Sequence, residues 1–319
     1  MRPIILFLAA ASFCALFAIA ADFEKQGIFL DPKAAGPDYA DQGEYVNDWG
    51  GAQVIALGDN KFRLVIYQGG LPGAGWNGER RPEVEGKRDG DRIVFAASEN
   101  GFKHSVANGI LTTTTANGDE YKMNKTQRKS PTLGAKPPKS ALALFDGSNT
   151  DAWVNPHLDD RGLLAAGTKT KGDFTDFTLH AEFMTPFKPT GRGQDRGNSG
   201  IYLQQRYEVQ ILDSFGLKGE SNECGGIYSQ QKPLVNMCFP PLTWQTYDID
   251  FTAAKFDENG KKTKPGVVTV KQNGVLIHDH YEFKDKTGGG KPEGPTPGPI
   301  ELQGHGNPVF FQNIWIVEK

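Results

Sequence analysis

Val267-Val268-Thr269-Val270-Lys271-Gln272-Asn273-Gly274-Val275-Leu276-Ile277-His278 is the stretch that decides the class of this fold. Two runs rich in β-branched residues meet at Asn-Gly, the dipeptide that accepts positive φ at both central positions of a type I′ turn. That turn has the twist of a pair of antiparallel strands, so the stretch reads as a hairpin of Val267 to Gln272 and Val275 to His278. The same pattern repeats outward: short apolar alternations separated by Gly, Asn, Asp and Pro, with few segments holding a helical period. It marks an all-β chain.

Towards the C-terminus, strands are expected at Ala141 to Phe145, Phe177 to Phe183, Gly200 to Gln204, Tyr207 to Leu212, Gly225 to Tyr228, Gln245 to Phe251, Ile300 to Gln303 and Val309 to Val317, besides the hairpin. So many short strands in one segment, 141–319, predict a sandwich or jelly roll. Before it, Lys129-Ser130-Pro131-Thr132-Leu133-Gly134-Ala135-Lys136-Pro137-Pro138-Lys139 can sustain neither a helix nor a central strand. Residues 129–140 therefore read as an extended linker. Residues 21–128 form a small β domain, with strands at Ala52 to Leu57, Phe62 to Tyr67, Arg92 to Ala97 and Gly109 to Thr115. Its glycine-rich loop at 69–78 holds Trp76, which either folds over a small core or is offered for stacking. The loop lacks the Lys-Ser/Thr and following helix of a phosphate loop.

Met1-Arg2, an apolar run from Ile4 to Ile19 and the small residues before Ala21 read as a signal peptide, residues 1–20, cleaved after Ala20. The run is shorter than the ~20 residues of a spanning helix, and Phe13 before Cys14 is a poor lipobox. The expected mature protein is exported, periplasmic or extracellular, and free of the membrane. Cys224 and Cys238 then remain, fourteen positions apart. In an oxidising compartment they are a possible disulfide, contributing about 3 kcal/mol through the unfolded state, with two buried thiols as the alternative. No Cys or His cluster accompanies them, so a structural zinc is not expected. With 39 Gly, 20 Pro, 20 Phe and a net charge of −3, the chain has no electrostatic signature for nucleic acid.

Candidate chemistry concentrates in Tyr207-Glu208-Val209-Gln210-Ile211-Leu212-Asp213. Alternation places Glu208 and Gln210 on one face and Val209 and Ile211 in a core. The two polar residues are spaced ~7 Å apart, a repeat that suits neighbouring hydroxyls of one sugar ring. Asp213 would join their face only through a bulge. Further along, Glu301, Gln303 and His305 alternate against Ile300 and Leu302, offering a second polar strand. The polar loop 191–197 precedes Asn198 and Ser199, which read either as ligand contacts or as turn residues at a strand entry. Ser199 has no base at a known spacing that would make it a nucleophile.

The ordered motifs Leu144-Phe145-Asp146-Gly147, Asn198-Ser199-Gly200-Ile201-Tyr202, Tyr207 to Asp213, Gly225-Gly226-Ile227-Tyr228, Asn273-Gly274, Ile300-Glu301-Leu302-Gln303-Gly304-His305-Gly306 and Phe311-Gln312-Asn313-Ile314-Trp315 together resemble the 3-keto-disaccharide hydrolase family. The likeness spans residues 141–319 and implies a concanavalin-like jelly roll in an exported bacterial protein. It implies cleavage of glycosides already oxidised at sugar carbon 3, in company with a sugar oxidoreductase. A C3 ketone acidifies the C2 proton, so a base can remove it, the C1 substituent can leave, and water can add back. On these residues His305 and Glu208 are the candidate proton carriers, with Asp213 beside them. Asn198, Ser199, Gln210, Glu301 and Gln303 are candidate substrate contacts, Tyr228 and Trp244 candidate stacking faces, and Arg196 a candidate stabiliser of enolate charge.

Two other classes remain open. Glu208 to Asp213 is also similar to the Glu-x-Asp-x-x-Glu strand of laminarinase-like retaining glycosidases, but Gln210 replaces the central Asp and Asp213 replaces the last Glu. A sandwich also serves lectins, so a carbohydrate-binding protein without catalysis is the third possibility. Asp146, Asp213 and Asp248 could offer oxygen to calcium but show no regular loop spacing, so no cofactor or metal is expected.

Overall fold

The computed structural model describes residues 22–319; the proposed signal peptide and Cys14 lie outside the described residues. Eight strands come first: β1 (Gly43–Asn47), β2 (Gly50–Gly58), β3 (Lys61–Gln68), β4 (Glu83–Asp89), β5 (Arg92–Phe95), β6 (Lys103–Ala107), β7 (Ile110–Thr114) and β8 (Glu120–Thr126). Each pairs antiparallel with the next, and β1 pairs with β8 through Glu44 and Thr126, closing a barrel that leaves no free edge. Tyr45, Val54, Phe62, Leu64, Ile93, Val106 and Leu111 fill its interior. At Gly86 on β4 a Cβ would lie 2.5 Å from the Phe95 ring, so a side chain there would expel Phe95 from the barrel.

The rest is a two-sheet sandwich. Its strands are β9 (Leu142–Phe145), β10 (Trp153–Val154), β11 (Leu164–Ala165), β12 (Thr168–Thr170), β13 (Phe177–Met184), β14 (Ser199–Leu203), β15 (Tyr207–Ile211), β16 (Gln245–Thr252), β17 (Lys255–Phe256), β18 (Lys262–Lys264), β19 (Val267–Gln272), β20 (Val275–Glu282), β21 (Glu301–Leu302) and β22 (Phe310–Glu318). One sheet runs β10-β12-β21-β14-β15; the other runs β11-β22-β13-β16-β19-β20 with β9 on β22, and β17 and β18 form a separate ribbon. Trp153, Phe177, Phe183, Tyr207, Phe251 and Phe283 are fully buried in this body. The apolar cluster around them extends to Ile55, Val65, Tyr67 and Leu71 of the first body, so the sandwich core crosses the junction beside the barrel's own core. Trp76 takes the core alternative: it packs against this cluster with its ring edge-on to Tyr67, centroids 5.1 Å apart.

The Asn273-Gly274 turn has φ of 51° and 80° and joins Gln272 to Val275. Asn273 is buried, accepting the Thr246 N–H and donating to the Met237 carbonyl. Residues 127–140 form neither helix nor strand and lie on the outer face of the larger sheet. Ser130 Oγ is 2.7 Å from Thr246 Oγ1, Thr132 donates to Asp248, and Gly134 N–H donates to Glu182. Under this strap His180 sits between Asp248 (2.6 Å) and Glu182 (3.4 Å), stacked on Trp315. Burial lowers its pKa, but the two carboxylates outweigh burial and raise it to about 9.

Three expectations are corrected. Gly225 to Tyr228 is not a strand; it follows β15 through Gly225 N–H to Gln210 O and Tyr228 N–H to Glu208 O, with a single bridge at Val209 and Ile227. Regular pairing fails because the segment turns back on itself, Gly226 N–H bonding Glu223 O. The strand foreseen at Ile300 to Gln303 contracts to Glu301–Leu302. Cys224 and Cys238 are free, buried thiols rather than a disulfide. The two thiols lie within hydrogen-bonding reach of one another, Cys224 also accepting from Gln272 Nε2 and Cys238 facing the carbonyls of Leu212 and Phe239.

Candidate active site

Across β21, β14 and β15 the register sets Glu301, Tyr202 and Glu208 in one row, on the face opposite Ile201, Val209 and Leu302. The alternation read from the sequence thus holds, with Val209 and Ile211 in the core and Glu208 and Gln210 on the other side. That side is not open sheet. Loops carrying Gln194, Tyr228 and Gly288-Gly289 wall it into a cleft of about 200 Å³, and Glu208 is only 2% exposed at its floor.

Glu208 is held at both oxygens. The Tyr202 hydroxyl donates to Oε2 at 2.8 Å. With its amide nitrogen turned towards Glu208, Gln210 donates to Oε1 at 2.9 Å and to the Ser199 carbonyl at 3.0 Å, and its oxygen accepts from Gln194 and Asn198 once their amide nitrogens turn towards it. The Glu208 N–H donates to Thr287 Oγ1. Gly200, opposite Gln210, is what lets the carboxylate lie there, since a Cβ at 200 would stand 2.2 Å from Oε1. Burial, reinforced by the Glu301 charge and partly offset by the Tyr202 hydrogen bond, pushes the Glu208 pKa up to about 7. A carboxyl at that value exchanges protons readily in either direction near neutral pH.

The cleft brings together Asn198, Glu208, Gln210, Tyr228, Gln303 and His305 of the residues singled out from sequence. His305 is exposed, on the loop after β21, so it stands at the rim rather than on the floor. Gln303 Oε1 is buried with no hydrogen-bond partner, an acceptor free for a ligand hydroxyl. Ser199 and Glu301 lie beside the cleft and are already committed. The Ser199 hydroxyl donates to Gln303 O, and Glu301 accepts from Gln205. Trp244 does not line it.

Asp213 and Arg196 go elsewhere. Both are buried and paired, Arg196 Nε to Asp213 Oδ2 at 2.7 Å, and both line a second cavity against the barrel. Without the bulge the sequence reading required, Asp213 stays off the Glu208 face. The calcium candidates are likewise dispersed: Asp146 caps its own turn at Ser148, Asp213 pairs with Arg196, and Asp248 bonds His180. Tyr202 and Gln194 were not foreseen. A polar strand neighbour opposite Glu208 is the signal that could have found Tyr202; the fold-back of Gln194 has none.

The family described as a 3-keto-alpha-glucoside-1,2-lyase-like domain matches residues 140–317. A "putative glycosyl hydrolase" from Parabacteroides distasonis ATCC 8503 is 38% identical, over 57% of this chain and 85% of its own, with a TM-score of 0.53. A second structure of the same description and organism is 22% identical over 56% of this chain and 99% of its own, TM-score 0.41. No curated protein matches the chain.

Proposed function

Because the chain belongs to the 3-keto-alpha-glucoside-1,2-lyase-like family, we propose that its cleft cleaves a glycoside bearing a ketone at sugar carbon 3. By that membership the chain is carbohydrate-active. The observation that carries the finer reading is Glu208: a carboxyl at the floor of an amide-lined cleft, gripped at both oxygens, with its pKa raised to about 7.

In the step proposed, ionised Glu208 takes the C2 proton. The C–H electron pair becomes the C1–C2 double bond, and the C1–O bond breaks with its pair on the aglycone oxygen. That oxygen takes up a proton, from Glu208 or from His305 at the rim, and the sugar is left as an enone. Water adding across the C1–C2 bond completes a hydrolysis; without that addition the reaction is a lyase. The amides of Gln194, Asn198 and Gln303 face the sugar hydroxyls and the ketone oxygen, and Tyr228 supplies a flat wall for the ring. The reading includes export, on the apolar run from Ile4 to Ile19, and a sugar oxidoreductase that supplies the C3 ketone.

A retaining glycosidase would need a second carboxylate facing Glu208; Asp213 is instead paired with Arg196, and Glu301, in the same row, lies beside the cleft and accepts from Gln205. The test is to incubate the protein with a 3-keto-glucoside and its unoxidised parent, beside Glu208→Gln. Aglycone release from the keto compound alone, lost in the variant, is the expected result. Release from the parent would point to a glycosidase, and binding without release to a lectin.

A further inference from the structure

The second cavity, about 380 Å³, lies where the barrel meets the sandwich, and its charge is unbalanced. Lys61 and Arg63 reach it from β3 and Arg192 and Arg196 from the loop before β14, against only Glu85 and Asp213. Asp213 is spent on Arg196 Nε. Arg196 is 6% exposed, and its Nη2 has no hydrogen-bond partner. Arg63 Nε is also buried without a partner, and its nearest carboxylate, on Glu83, is 3.7 Å away. Burial is the main cause that lowers the pKa of Arg63, with the charge of Glu83 opposing it and those of Arg81 and Arg196 adding to it; burial, then the charges of Arg196 and Arg63, lower that of Arg192. Arg63 Nε and Arg196 Nη2 are thus buried donors without partners, a costly arrangement in a protein interior. It is also the donor array that grips carboxylate and phosphate oxygens.

We propose that this cavity is a binding site for a small ligand bearing a carboxylate or phosphate group, seated between Arg63 and Arg196 with Arg192 at its mouth. The site exists only when barrel and sandwich are joined, which gives the barrel a role in ligand recognition. It also touches the cleft through one turn of chain. Arg192 and Gly193 line the anion cavity, and the next residue, Gln194, lines the cleft beside Asn198 and Gln210. Arg192 Nη1 and Nη2 already donate to the carbonyls of Pro189, Gly191 and Leu57, so Arg192 would attract the anion by charge while Arg196 grips it, and together they would fix the turn Gly193–Asp195 that places Gln194.

The experiment is calorimetric titration of the full chain with inorganic phosphate, glucuronate and, as the uncharged control, glucose. Parallel titrations use Arg63→Gln and Arg192→Gln, whose side chains are less buried than Arg196, and each variant's melting temperature is checked first. One of the two anions is expected to bind one-to-one and to weaken roughly tenfold or more in both variants. Which anion binds identifies the source chemistry. No heat with either anion in a folded protein, or binding that both variants leave unchanged, overturns the proposal. Either result leaves the assignment of Glu208 untouched, because keto-glycoside turnover is measured separately.

Discussion

The Tyr202 hydroxyl lies 2.8 Å from Glu208 Oε2 and 2.7 Å from the Gly288 carbonyl, with one proton to give to two acceptors. When Glu208 is ionised the proton serves the carboxylate. When Glu208 is protonated it can donate back, and the hydroxyl turns to Gly288. Removing the hydroxyl takes away a stabiliser of the charged form, so Tyr202→Phe should move the Glu208 pKa up by about one unit or more. The acid limb of the pH–rate profile for keto-glycoside cleavage should move with it; a limb that stays in place would separate Glu208 from the observed titration.

Gly200→Ala should lower turnover far more than it lowers stability. The added Cβ falls 2.2 Å from Glu208 Oε1, 2.8 Å from its Cγ and 2.9 Å from its Cδ, so the whole carboxyl arm must shift. A carboxylate displaced by about 1 Å costs on the order of a hundredfold in rate. Turnover and melting temperature measured on one preparation check this, and a variant with full activity would remove Glu208 from the chemistry.

The stability of the protein should fall as pH rises through two separate windows. Glu208 has a folded pKa of about 7 against an ordinary 4.5, so the unfolded chain ionises first and the fold loses stability between those values, at most about 3 kcal/mol. Urea midpoints from pH 4.5 to 7.5 should show this slope, and Glu208→Gln should flatten it.

The upper window belongs to His180. Its folded pKa of about 9 exceeds the ordinary 6.5, so its contribution is whole below pH 6.5 and lost as pH rises through 9. The expected loss, again at most about 3 kcal/mol, should be absent in His180→Gln. Limited proteolysis within residues 129–140 should accelerate over the same range, since the strap rests on the two carboxylates that His180 neutralises.

Gly274→Ala should destabilise by about 1–3 kcal/mol, through a φ of 80° and a Cβ placed 2.4 Å from the Pro131 ring. Chemical denaturation measures it. A neutral result would mean the turn tolerates the change by releasing the strap, which proteolysis would reveal.

The sandwich could be read from sequence because its strands carry period-2 apolar faces and Asn273-Gly274 fixes a hairpin without outside help. Barrel closure could not. In β4, Glu83-Val84-Glu85-Gly86-Lys87-Arg88-Asp89 has one aliphatic residue, and it is ordered by pairing with β3 and β5 rather than by any pattern of its own. Of the site, the Glu208 floor and the residues of the Gln303–His305 segment were legible from alternation and motif. What alternation cannot supply is which loops fold over a sheet. That is why Gln194 was missed, and why Asp213 and Arg196 were placed with a cleft they do not enter. For the cysteines, spacing anticipated that Cys224 and Cys238 meet, but not that they meet as buried thiols.

The family-matched segment begins at residue 140, just after the strap. Yet it is Thr132, Gly134 and Ala135 that cover Asp248, Glu182 and Trp315 on the outer sheet face. The stretch that is shared by descent and the stretch that must be present for that face to be complete are therefore different lengths. A boundary drawn at the homology limit would leave the ion pairs of His180 with Glu182 and Asp248 intact and strip away the hydrogen bonds of Thr132, Gly134 and Ala135 that cover them.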